Sequence, residues 1–501
     1  MSGLVYLIGA GPGDSKLITV KGKECIEKAD VVVYDYLADS QLLQYAREEA
    51  ELIYVGKKHR HHHMEQEAIN QLLLEKAQAG LTVARLKGGD PLVFGRGGEE
   101  AMVLHEAGIA FEFVPGVTSA ISVPAYAGIP VTQRGMATSF AVVTGHEMKN
   151  NDSINWQGLA TAVDTLTFVM GMTNLPTIAQ NLMAYGRDPK TPVAVIRWGT
   201  KSQQETLVAT LDTIVEKVQE AGLKPPALLV IGQVVALRDQ LRWFDTKPLF
   251  GKRIVTTRAK GKSAAFASRL QDLGAEVIAC AAIKTQALDL NPDGEAMLAN
   301  LDDYACLAFT SAQGVRYFFE ALHERHKDAR ALGQLQVCAV GTATAKALES
   351  YGIMADFIPM NYKAESLAET LLAELKAGDK LLLVQPKVAR HVIQDTLQAQ
   401  GLSVDTLRLY ETLIDQSQGE LLREALEQGV DYVTFTSGST VKNTLALLGE
   451  SAKDLLGQAK LACIGPITAA TLVEQGLEPG LISSVYTMDG LVEAILEDNN
   501  Q

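Results

Sequence analysis

Glycine-rich loops near the start of the chain could bring its backbone close to a bound ligand. The first loop, Gly9 to Asp14, follows an apolar run and precedes an amphipathic stretch. A dinucleotide-binding turn needs its third glycine at position 14, where this chain has an aspartate. Asp35 ends the next apolar run and could still contact a ribose, so this loop alone leaves an NAD site open.

A second loop, Arg85 to Glu100, combines glycines with charged side chains. It reads Arg-Leu-Lys-Gly-Gly-Asp-Pro and, two residues later, Phe-Gly-Arg-Gly-Gly-Glu-Glu. Glycine lets a backbone approach a ligand closely, and the Asp90 carboxylate can accept hydrogen bonds from hydroxyl or ammonium groups. A third loop, Pro115 to Ala120, opens a predicted helix. These loops predict a small-molecule site that does not require a phosphate.

A basic segment, 57–63, contains four histidines. Histidines this close in sequence do not easily share one tetrahedral ion, and no cysteine or acidic pair supports them. We therefore expect no metal site and interpret the segment as a solvated basic loop. Such a loop could attract an anionic substrate.

The elements around these motifs alternate between Val/Ile-rich runs and amphipathic stretches from Leu4 onward. This alternation is typical of α/β folds with largely parallel sheets. The pattern restarts at Gly251, after a polar segment that contains Pro248. We predict two halves, residues 1–245 and 251–501, joined by a linker at 246–250.

The second half contains an internal repeat. The segment Phe309 to Val315 recurs as Phe435 to Val441, and Val340 to Ala345 recurs as Ile464 to Ala469. The order of the segments predicts two similar lobes, each presenting a strand end and a helix N-terminus to the cleft between them. We expect lobe one to contain 251–285 and 412–501, and lobe two to contain 286–411. Hydroxyl and amide groups in such a cleft suit anions.

The composition is that of a soluble globular protein, with 47% hydrophobic and 21% charged residues. The net charge of -14 argues against broad binding of nucleic acids or anionic membranes. No apolar run reaches the roughly 18 residues of a membrane span, and we expect a cytoplasmic, unexported chain. The cysteines are scattered and are expected to be buried and reduced.

The N-terminal motifs, taken in order, resemble uroporphyrinogen-III C-methyltransferase. They are Gly9 to Asp14, Tyr34-Asp35, Val55 to Lys57, Arg85 to Glu100, Pro115 to Ala120, Tyr126 to Pro130, Val143 to His146 and Gly199-Thr200. The resemblance covers about Leu4 to Phe244 and implies a two-lobed tetrapyrrole methylase fold, S-adenosylmethionine as methyl donor, and a homodimer. The chain departs from the family at Tyr36 and Val169, where arginine and tyrosine are common, which affects the expected substrate contacts.

The resemblance also implies which residues form the site. The methyl donor would be lined by Pro12, Gly88, Gly89, Asp90, Val93, Thr118, Ser119, Met170 and Gly199. Asp35 would accept a proton and Lys57 would donate one, which suits a reaction that moves protons on a macrocycle after a pyrrole carbon attacks a methyl group. The sequence alone also allows both to be surface charges.

The implied substrate, uroporphyrinogen III, carries eight carboxylates. Exposed ion pairs contribute roughly 0.5 kcal/mol each, about 4 kcal/mol in total, which corresponds to about millimolar affinity. We therefore expect some of its basic partners to be partly buried and bidentate. The candidates are Lys57, Arg85, Lys87, Arg96 and Arg134.

Short segments of the second half resemble uroporphyrinogen-III synthase. They are Thr256 to Arg258, Phe309 to Ser311, Val340 to Ala345, Leu409 to Thr412, Phe435 to Ser439 and Ile464 to Ala469. The resemblance covers about Gly251 to Glu497 and implies cofactor-free cyclisation of hydroxymethylbilane with inversion of its last ring. The product of this family is the substrate of the N-terminal family, so each resemblance supports the other.

The residues implied for the synthase half are Tyr410, which would assist departure of a hydroxyl group, and a set of carboxylate-binding side chains. That set is Thr310, Ser311, Thr344, Arg390, Ser437 and Thr468. A packed strand aromatic is the alternative for Tyr410. We predict a bifunctional enzyme of tetrapyrrole biosynthesis that leads to siroheme or cobalamin. The rival functions are an NAD-dependent oxidoreductase for the first half and a noncatalytic tetrapyrrole carrier for the second.

Overall fold

The computed structural model describes residues 3–56, 64–145, 154–257, 264–333, 335–359, 364–389 and 391–500. Residue contacts divide the chain into two compact units. One contains Met1–Ile254, Ser268–Val277 and Leu496–Gln501, and the other contains Val255–Ala267 and Ile278–Ile495. The linker at 246–250 stays a prediction, because the two units interleave along the sequence.

The first unit begins with a parallel sheet. Its strands are β1 (Leu4–Gly9), β2 (Val31–Tyr34), β3 (Glu51–Tyr54), β4 (Thr82–Lys87) and β5 (Ala110–Val114), in the order β3-β2-β4-β1-β5. The helices are α1 (Val20–Lys28), α2 (Gln66–Gln78), α3 (Gly97–Glu106) and α4 (Ser119–Tyr126). Leu7 and Ile8 are both fully buried although they point to opposite faces, as expected for a parallel sheet covered on both sides.

A second sheet of the same unit mixes parallel and antiparallel strands. Its strands are β6 (Phe140–Thr144), β7 (Thr165–Val169), β8 (Pro192–Arg197), β9 (Glu205–Thr210) and β10 (Ala227–Ile231), in the order β6-β7-β10-β8-β9. The helices are α5 (Trp156–Ala162), α6 (Leu175–Ala184), α7 (Ile214–Ala221) and α8 (Arg238–Leu241). Because β10 is antiparallel to both β7 and β8, those two strands run in the same direction and end at the same edge.

The C-terminal half contains two further sheets. Its strands are β11 (Arg253–Thr256), β12 (Glu276–Ala279), β13 (Ile283–Ala287), β14 (Cys306–Phe309), β15 (Gln336–Ala339), β16 (Lys380–Pro386), β17 (Ser403–Ile414), β18 (Tyr432–Phe435), β19 (Lys460–Cys463) and β20 (Leu481–Ile482). They form sheets in the orders β12-β11-β18-β19-β20 and β13-β17-β16-β14-β15. The predicted lobe border at 285–286 falls inside β13, which pairs antiparallel with β17.

Helices alternate with these strands, as the α/β pattern predicts. They are α9 (Ala264–Asp272), α10 (Pro292–Ala299), α11 (Ala312–Glu324), α12 (Thr342–Glu349), α13 (Ala364–Glu374), α14 (Val392–Ala399), α15 (Ser417–Glu427), α16 (Gly438–Leu448), α17 (Ala452–Leu456), α18 (Pro466–Glu474) and α19 (Met488–Asn499). The predicted α/β fold class is confirmed in both halves.

The internal repeat folds the same way twice. After β14, Ser311 caps α11 by accepting a hydrogen bond from Gly314 N at 3.0 Å. After β18, Ser437 caps α16 by accepting from Thr440 N at 3.3 Å. A serine at this position satisfies a helix N–H that would otherwise lack a partner. Each repeat therefore places a strand end next to a helix N-terminus, as predicted.

The cysteines Cys25, Cys280, Cys306, Cys338 and Cys463 are unpaired and buried, as the sequence predicted. Burial raises the pKa of the Cys280 thiol to about 12, so this thiol stays protonated at neutral pH. Within the ranges that the structure describes, no helix combines the length and apolar character needed to cross a membrane.

Candidate active sites

The three glycine loops meet at the carboxyl ends of β1, β4 and β5. Gly11 N donates to Gly89 O at 3.2 Å, and Gly89 N donates to Gly11 O at 2.7 Å. A Cβ at Gly116 would lie 2.4 Å from Gly89 O and 2.6 Å from Gly9 Cα, far inside normal contact distance. The third loop therefore packs on the other two through backbone atoms, and this contact requires glycine.

Asp90 ties the second loop to the third. Its Oδ2 accepts from Gly116 N at 3.0 Å, and its Oδ1 accepts from Leu92 N at 2.8 Å. Both carboxylate oxygens thus already hold loop backbone, which the sequence did not predict. Each oxygen keeps a second lone pair, so contact with a ligand is still compatible with these bonds.

Gly89 adopts a left-handed backbone conformation close to the start of α4. Gly89 has φ +70°, and a Cβ there would come no closer than 3.7 Å to Ser119 N at the start of α4. Thr118 caps that helix by accepting from Ala120 N at 3.3 Å. The positive φ, rather than a steric clash, therefore favours glycine at position 89.

The ends of β7 and β8 have strained backbone at or next to predicted donor-site positions. Met170 follows β7 with φ 54° and is 51% exposed, and Trp198 and Thr200 follow β8 with φ 50° and 70°. Positive φ is costly for residues other than glycine and is concentrated at functional sites. Between those two residues, a Cβ at Gly199 would lie 2.4 Å from Val123 Cγ1. Both strand ends thus contain backbone conformations that residues other than glycine rarely adopt.

A closed ring of hydrogen bonds joins the first glycine loop to the end of β8. Asp14 N donates to Thr200 Oγ1 at 3.1 Å, and the Tyr126 hydroxyl donates to Asp14 Oδ2 at 2.7 Å. Thr200 N donates to Gln204 Oε1 at 3.0 Å, and Gln204 Nε2 returns to Tyr126 O at 3.3 Å. Burial and the Asp14 carboxylate raise the pKa of Tyr126, which keeps its hydroxyl a donor.

Sequence reasoning missed this ring of Asp14, Tyr126, Thr200 and Gln204. Its one local signal was Asp14, which stands where a dinucleotide fingerprint needs glycine. In the structure, this aspartate joins the first glycine loop to two other elements. Its backbone N–H binds Thr200 after β8, and its carboxylate binds Tyr126 on α4.

Asp35 lies at the carboxyl end of β2 with its side chain 25% exposed. Its Oδ2 accepts from Arg85 Nη2 at 3.1 Å, and its Oδ1 accepts from Leu37 N at 3.0 Å. The carboxylate is therefore held in place while part of it reaches solvent. Lys57, the predicted proton donor, lies outside the described residues.

The predicted basic substrate contacts fall into two environments. Arg85 and Lys87 are 3% and 4% exposed. Arg96 is exposed and makes a bidentate pair with Glu99, at 2.9 Å through Nε and 2.6 Å through Nη2. Arg134 is also exposed. The two buried cations are paired with protein carboxylates. Substrate binding by Arg85, Lys87, Arg96 and Arg134 stays a prediction.

In the C-terminal half, Tyr410 on β17 is both packed and hydrogen-bonded. It is 4% exposed and stacks on Tyr317 with ring centroids 5.1 Å apart. Its hydroxyl lies 2.8 Å from Ser311 Oγ, and burial raises the pKa of this tyrosine. Tyr410 is therefore protonated at neutral pH and able to donate, while its role in departure of a hydroxyl group stays a prediction.

The other predicted carboxylate-binding residues differ in exposure. Thr310 donates to Val384 O at 3.0 Å and is half-buried, as is Ser437. Thr344 and Thr468, in the first turns of α12 and α18, are each 4% exposed. Arg390 is outside the part of the chain that the structure describes. Contact of any of these residues with a ligand stays a prediction.

No cluster of three or more His, Cys, Asp or Glu side chains that could hold a metal ion occurs among the described residues. The histidine segment 57–63 lies outside them, so its interpretation as a basic loop stays a prediction.

The two halves match two different protein families. Residues 4–215 match the tetrapyrrole (corrin/porphyrin) methylases, and residues 264–493 match uroporphyrinogen-III synthase. The fold and the sites therefore define an α/β protein with a tetrapyrrole methylase domain followed by a uroporphyrinogen-III synthase domain.

Relatives of this chain include one that spans nearly all of it and others that match its first half. A "Porphyrin biosynthesis protein HemD" from Ruminiclostridium josui is 36% identical over 498 residues, which is 99% of this chain and 98% of that protein. A "Uroporphyrinogen-III C-methyltransferase" from Priestia megaterium is 52% identical over 234 residues, 46% of this chain and 98% of that protein. The solved uroporphyrin-III C-methyl transferase of Thermus thermophilus, complexed with S-adenyl homocysteine, is 41% identical with a TM-score of 0.41, covering 47% of this chain and 100% of that one.

The chain belongs to the family of tetrapyrrole biosynthesis proteins in which a uroporphyrinogen-III C-methyltransferase domain is fused to a uroporphyrinogen-III synthase domain. Both resemblances predicted from the sequence are thereby confirmed.

Proposed function

We propose that this chain is a bifunctional enzyme that makes and then methylates uroporphyrinogen III. Its C-terminal half cyclises hydroxymethylbilane to uroporphyrinogen III, and its N-terminal half converts that product to precorrin-2 with S-adenosylmethionine. The observation that carries this proposal is the match of one chain to two families whose reactions are consecutive. Relatives described as "Siroheme synthase" support siroheme as an end product, with cobalamin as the alternative.

The proposal includes the setting in which the enzyme works. We infer a cytoplasmic homodimer that assembles through the methylase half, with the halves divided at 246–250. The resemblance to the methylase family supports the dimer, and the absence of a spanning helix among the described residues is compatible with the cytoplasm. Size-exclusion chromatography with light scattering tests the dimer.

The methyl donor would bind at the convergent strand ends of the first unit. All nine residues proposed to line this site keep solvent-accessible surface. They are Pro12, Gly88, Gly89, Asp90, Val93, Thr118, Ser119, Met170 and Gly199. Gly88 and Gly89 are partly exposed, and glycine backbone can approach such a molecule closely. When bound, S-adenosylmethionine supplies an electrophilic methyl group.

Proton movements on the macrocycle would be handled by Asp35 and Lys57. The hydrogen bonds from Arg85 and Leu37 fix the Asp35 carboxylate at a strand end, and its exposed part can accept a proton from a bound substrate. Lys57 would donate a proton. Substrate carboxylates would contact Arg85, Lys87, Arg96 and Arg134.

In the synthase half, the reaction needs control of substrate folding and a hydrogen bond to the departing hydroxyl group. The protonated Tyr410 hydroxyl would provide that bond, held by Ser311 at 2.8 Å. Carboxylates of the bilane would bind Thr310, Ser311, Thr344, Arg390, Ser437 and Thr468. The helix N-termini that follow β14 and β18 support anion binding nearby.

A coupled assay tests the whole proposal. The purified chain receives hydroxymethylbilane and S-adenosylmethionine, and products are analysed by mass and isomer composition. We expect dimethylated product of the type III isomer. Unmethylated type I product alone, which forms from bilane without the last-ring inversion, would contradict both activities. Calorimetry with S-adenosylhomocysteine and with NAD separates the methylase from the oxidoreductase alternative, since only the first should bind.

Asp90→Ala should weaken S-adenosylhomocysteine binding by at least about tenfold. The carboxylate accepts hydrogen bonds from Gly116 N and Leu92 N, and each charge-assisted bond contributes about 1.5 to 3 kcal/mol. Losing both would remove one bond within the second glycine loop and the side-chain bond that joins it to the third. Isothermal titration measures the affinity, and Asp90→Asn, which keeps one carbonyl acceptor, should lie between wild type and alanine. Unchanged affinity in the alanine variant would remove Asp90 from the donor site.

Tyr410→Phe should slow bilane cyclisation by roughly tenfold to a hundredfold, because one hydrogen-bond donor contributes about 1 to 3 kcal/mol. The ratio of isomer III to isomer I should fall, and methylation of supplied uroporphyrinogen III should not change. Tyr317→Phe is the matched control, since it removes the hydroxyl from the other ring of the same stack. Equal, small effects in both variants would assign Tyr410 to packing alone.

A further inference from the structure

A buried ionic cluster lies next to Asp35, and none of the proposed catalytic steps uses its central carboxylate. Glu100, on α3, is 0% exposed. Its Oε1 accepts from Lys87 Nζ at 2.6 Å and from Gln66 Nε2 at 3.1 Å. The same oxygen lies 3.5 Å from Arg85 Nε. One carboxylate oxygen therefore faces both buried cations of β4.

Arg85 connects Glu100 to Asp35. Its Nη2 donates to Asp35 Oδ2 at 3.1 Å, its Nη1 donates to Leu86 O at 2.8 Å, and its Nε faces Glu100. The guanidinium is planar and rigid, so contacts at its separate nitrogens fix the orientation of the whole group. Arg85 therefore links Glu100, through an ionic contact at Nε, to Asp35, through a hydrogen bond at Nη2.

The cluster is also balanced in charge. Two cations, Arg85 and Lys87, face two carboxylates, Glu100 and Asp35. A buried charge without a partner is costly, and burial together with the neighbouring Arg85 already lowers the pKa of Lys87. Glu100 compensates Lys87, which leaves Arg85 available to Asp35.

We propose that Glu100 is a positioning residue for methyl transfer. Through Arg85 and Lys87, it orients the Asp35 carboxylate and sets the net charge around it. Glu100 itself does not touch substrate. This inference rests on the proposed function, in which Asp35 accepts a proton during methylation.

The charged and titratable groups that face Asp35 come from several elements. Arg85 and Lys87 on β4 and Tyr54 on β3 interact with Asp35 directly. Glu100 on α3 faces the two cations, and Tyr34 and Tyr36 at the end of β2 lie beside Tyr54. Burial and, next, the charge of Asp35 raise the pKa of Tyr54, so this hydroxyl stays neutral at neutral pH. Changes of charge at Glu100 or Lys87 are therefore expected to act on Asp35 itself.

The test compares single and double changes of charge with similar side-chain size. Glu100→Gln leaves an extra positive charge beside Asp35 and favours its carboxylate form, so the acid limb of the kcat profile should move about one unit to lower pH. Lys87→Met leaves an extra negative charge and should move the limb to higher pH. The double variant restores neutrality and should return the limb to the wild-type position.

Initial rates of methyl transfer to supplied uroporphyrinogen III measure these profiles, with saturating methyl donor. Glu106→Gln, an exposed change on the same helix, is the matched control and should leave the limb in place. The carboxylates of the free substrate titrate alike in all variants, so opposite shifts in Glu100→Gln and Lys87→Met report the protein. S-adenosylhomocysteine affinity should stay at the wild-type value in folded variants.

A purely structural role for Glu100 would lower the rate at every pH without opposite shifts in Glu100→Gln and Lys87→Met, and that result would overturn the inference. If Glu100→Gln does not fold, the same question is answered by comparing Lys87→Met with the double variant. The acid limb should lie at higher pH in Lys87→Met than in the double variant. Absence of methylation in the wild-type chain would instead contradict the proposed function, so the two failures are distinguishable.

Discussion

Asp35→Asn should lower kcat for methylation of uroporphyrinogen III by about 10² to 10⁴-fold, the usual contribution of a general base. Asparagine has nearly the same shape, and its carbonyl can still accept one of the bonds that Arg85 and Leu37 donate to Asp35. It cannot take up a proton. The loss should therefore appear in kcat, while the affinity for S-adenosylhomocysteine stays unchanged.

Rates with labelled S-adenosylmethionine and supplied uroporphyrinogen III measure this effect. Asp239→Asn, an exposed aspartate on α8, is the matched control and should keep full activity. Bilane cyclisation in the same preparation reports whether the rest of the chain is intact. A wild-type kcat in Asp35→Asn would make Asp35 a surface carboxylate and leave the proton acceptor to be found elsewhere.

The convergence of the glycine loops could be predicted from the sequence for a simple reason. Each loop follows an apolar run, and the carboxyl ends of parallel strands meet at one edge of a sheet. The sequence could not show which backbone atoms touch. The 2.4 Å separation between a Cβ at Gly116 and Gly89 O depends on where the ends of β4 and β5 lie relative to each other. The local sequence pattern carries no information about that position.

The hydrogen-bonded ring at Asp14 shows a second limit of prediction from the sequence. Its partner Thr200 is 186 positions away, and the two come together only because separate sheets place their strand ends side by side. A reading of neighbouring residues identified Asp14 as a departure from the dinucleotide fingerprint but gave it no partner. The structure supplies the reason for the departure, because the carboxylate binds Tyr126 at 2.7 Å.

The buried cluster was partly accessible to sequence reasoning. Arg85 and Lys87 are two residues apart on a strand, so their side chains share one face. What the pattern could not give was the helix that covers this face. Glu100 is buried on the same side of α3 as Ala101 and Leu104, and only that packing turns a surface-type residue into a partner for two cations.

In the synthase half, too, the burial of side chains depends on packing that the local sequence does not show. The repeat correctly predicted strand ends and helix N-termini, because similar segments recur in the same order and fold alike, each with a serine cap. The 4% exposure of Thr344 and Thr468 was not predictable, because it depends on how the first turns of α12 and α18 pack. Hydroxyl groups at similar sequence positions can therefore differ in their access to a ligand.

The close packing of the glycine loops leads to the second large effect. Gly116→Ala should abolish measurable methylation and weaken S-adenosylhomocysteine binding by about 10²-fold or more. The added Cβ would lie 2.4 Å from Gly89 O and 2.6 Å from Gly9 Cα, so backbone must move by about 1 Å to reach ordinary contact. A displacement of that size at a reacting centre can cost about 10²-fold in rate. Overpacking of this kind also destabilises by about 1 to 3 kcal/mol.

Gly98→Ala is the matched control. A Cβ at Gly98 would meet nothing within 4 Å, and the residue lies on α3, where alanine is favoured over glycine. Titration with S-adenosylhomocysteine, methylation rates and thermal unfolding should all separate the two variants, while bilane cyclisation should persist in both. The Gly116 variant also displaces the N–H that binds Asp90 Oδ2, so its binding defect should exceed that of Asp90→Ala. If Gly116→Ala binds S-adenosylhomocysteine as tightly as Gly98→Ala, the donor does not lie on these loops, because no ligand held by that backbone would be indifferent to its displacement.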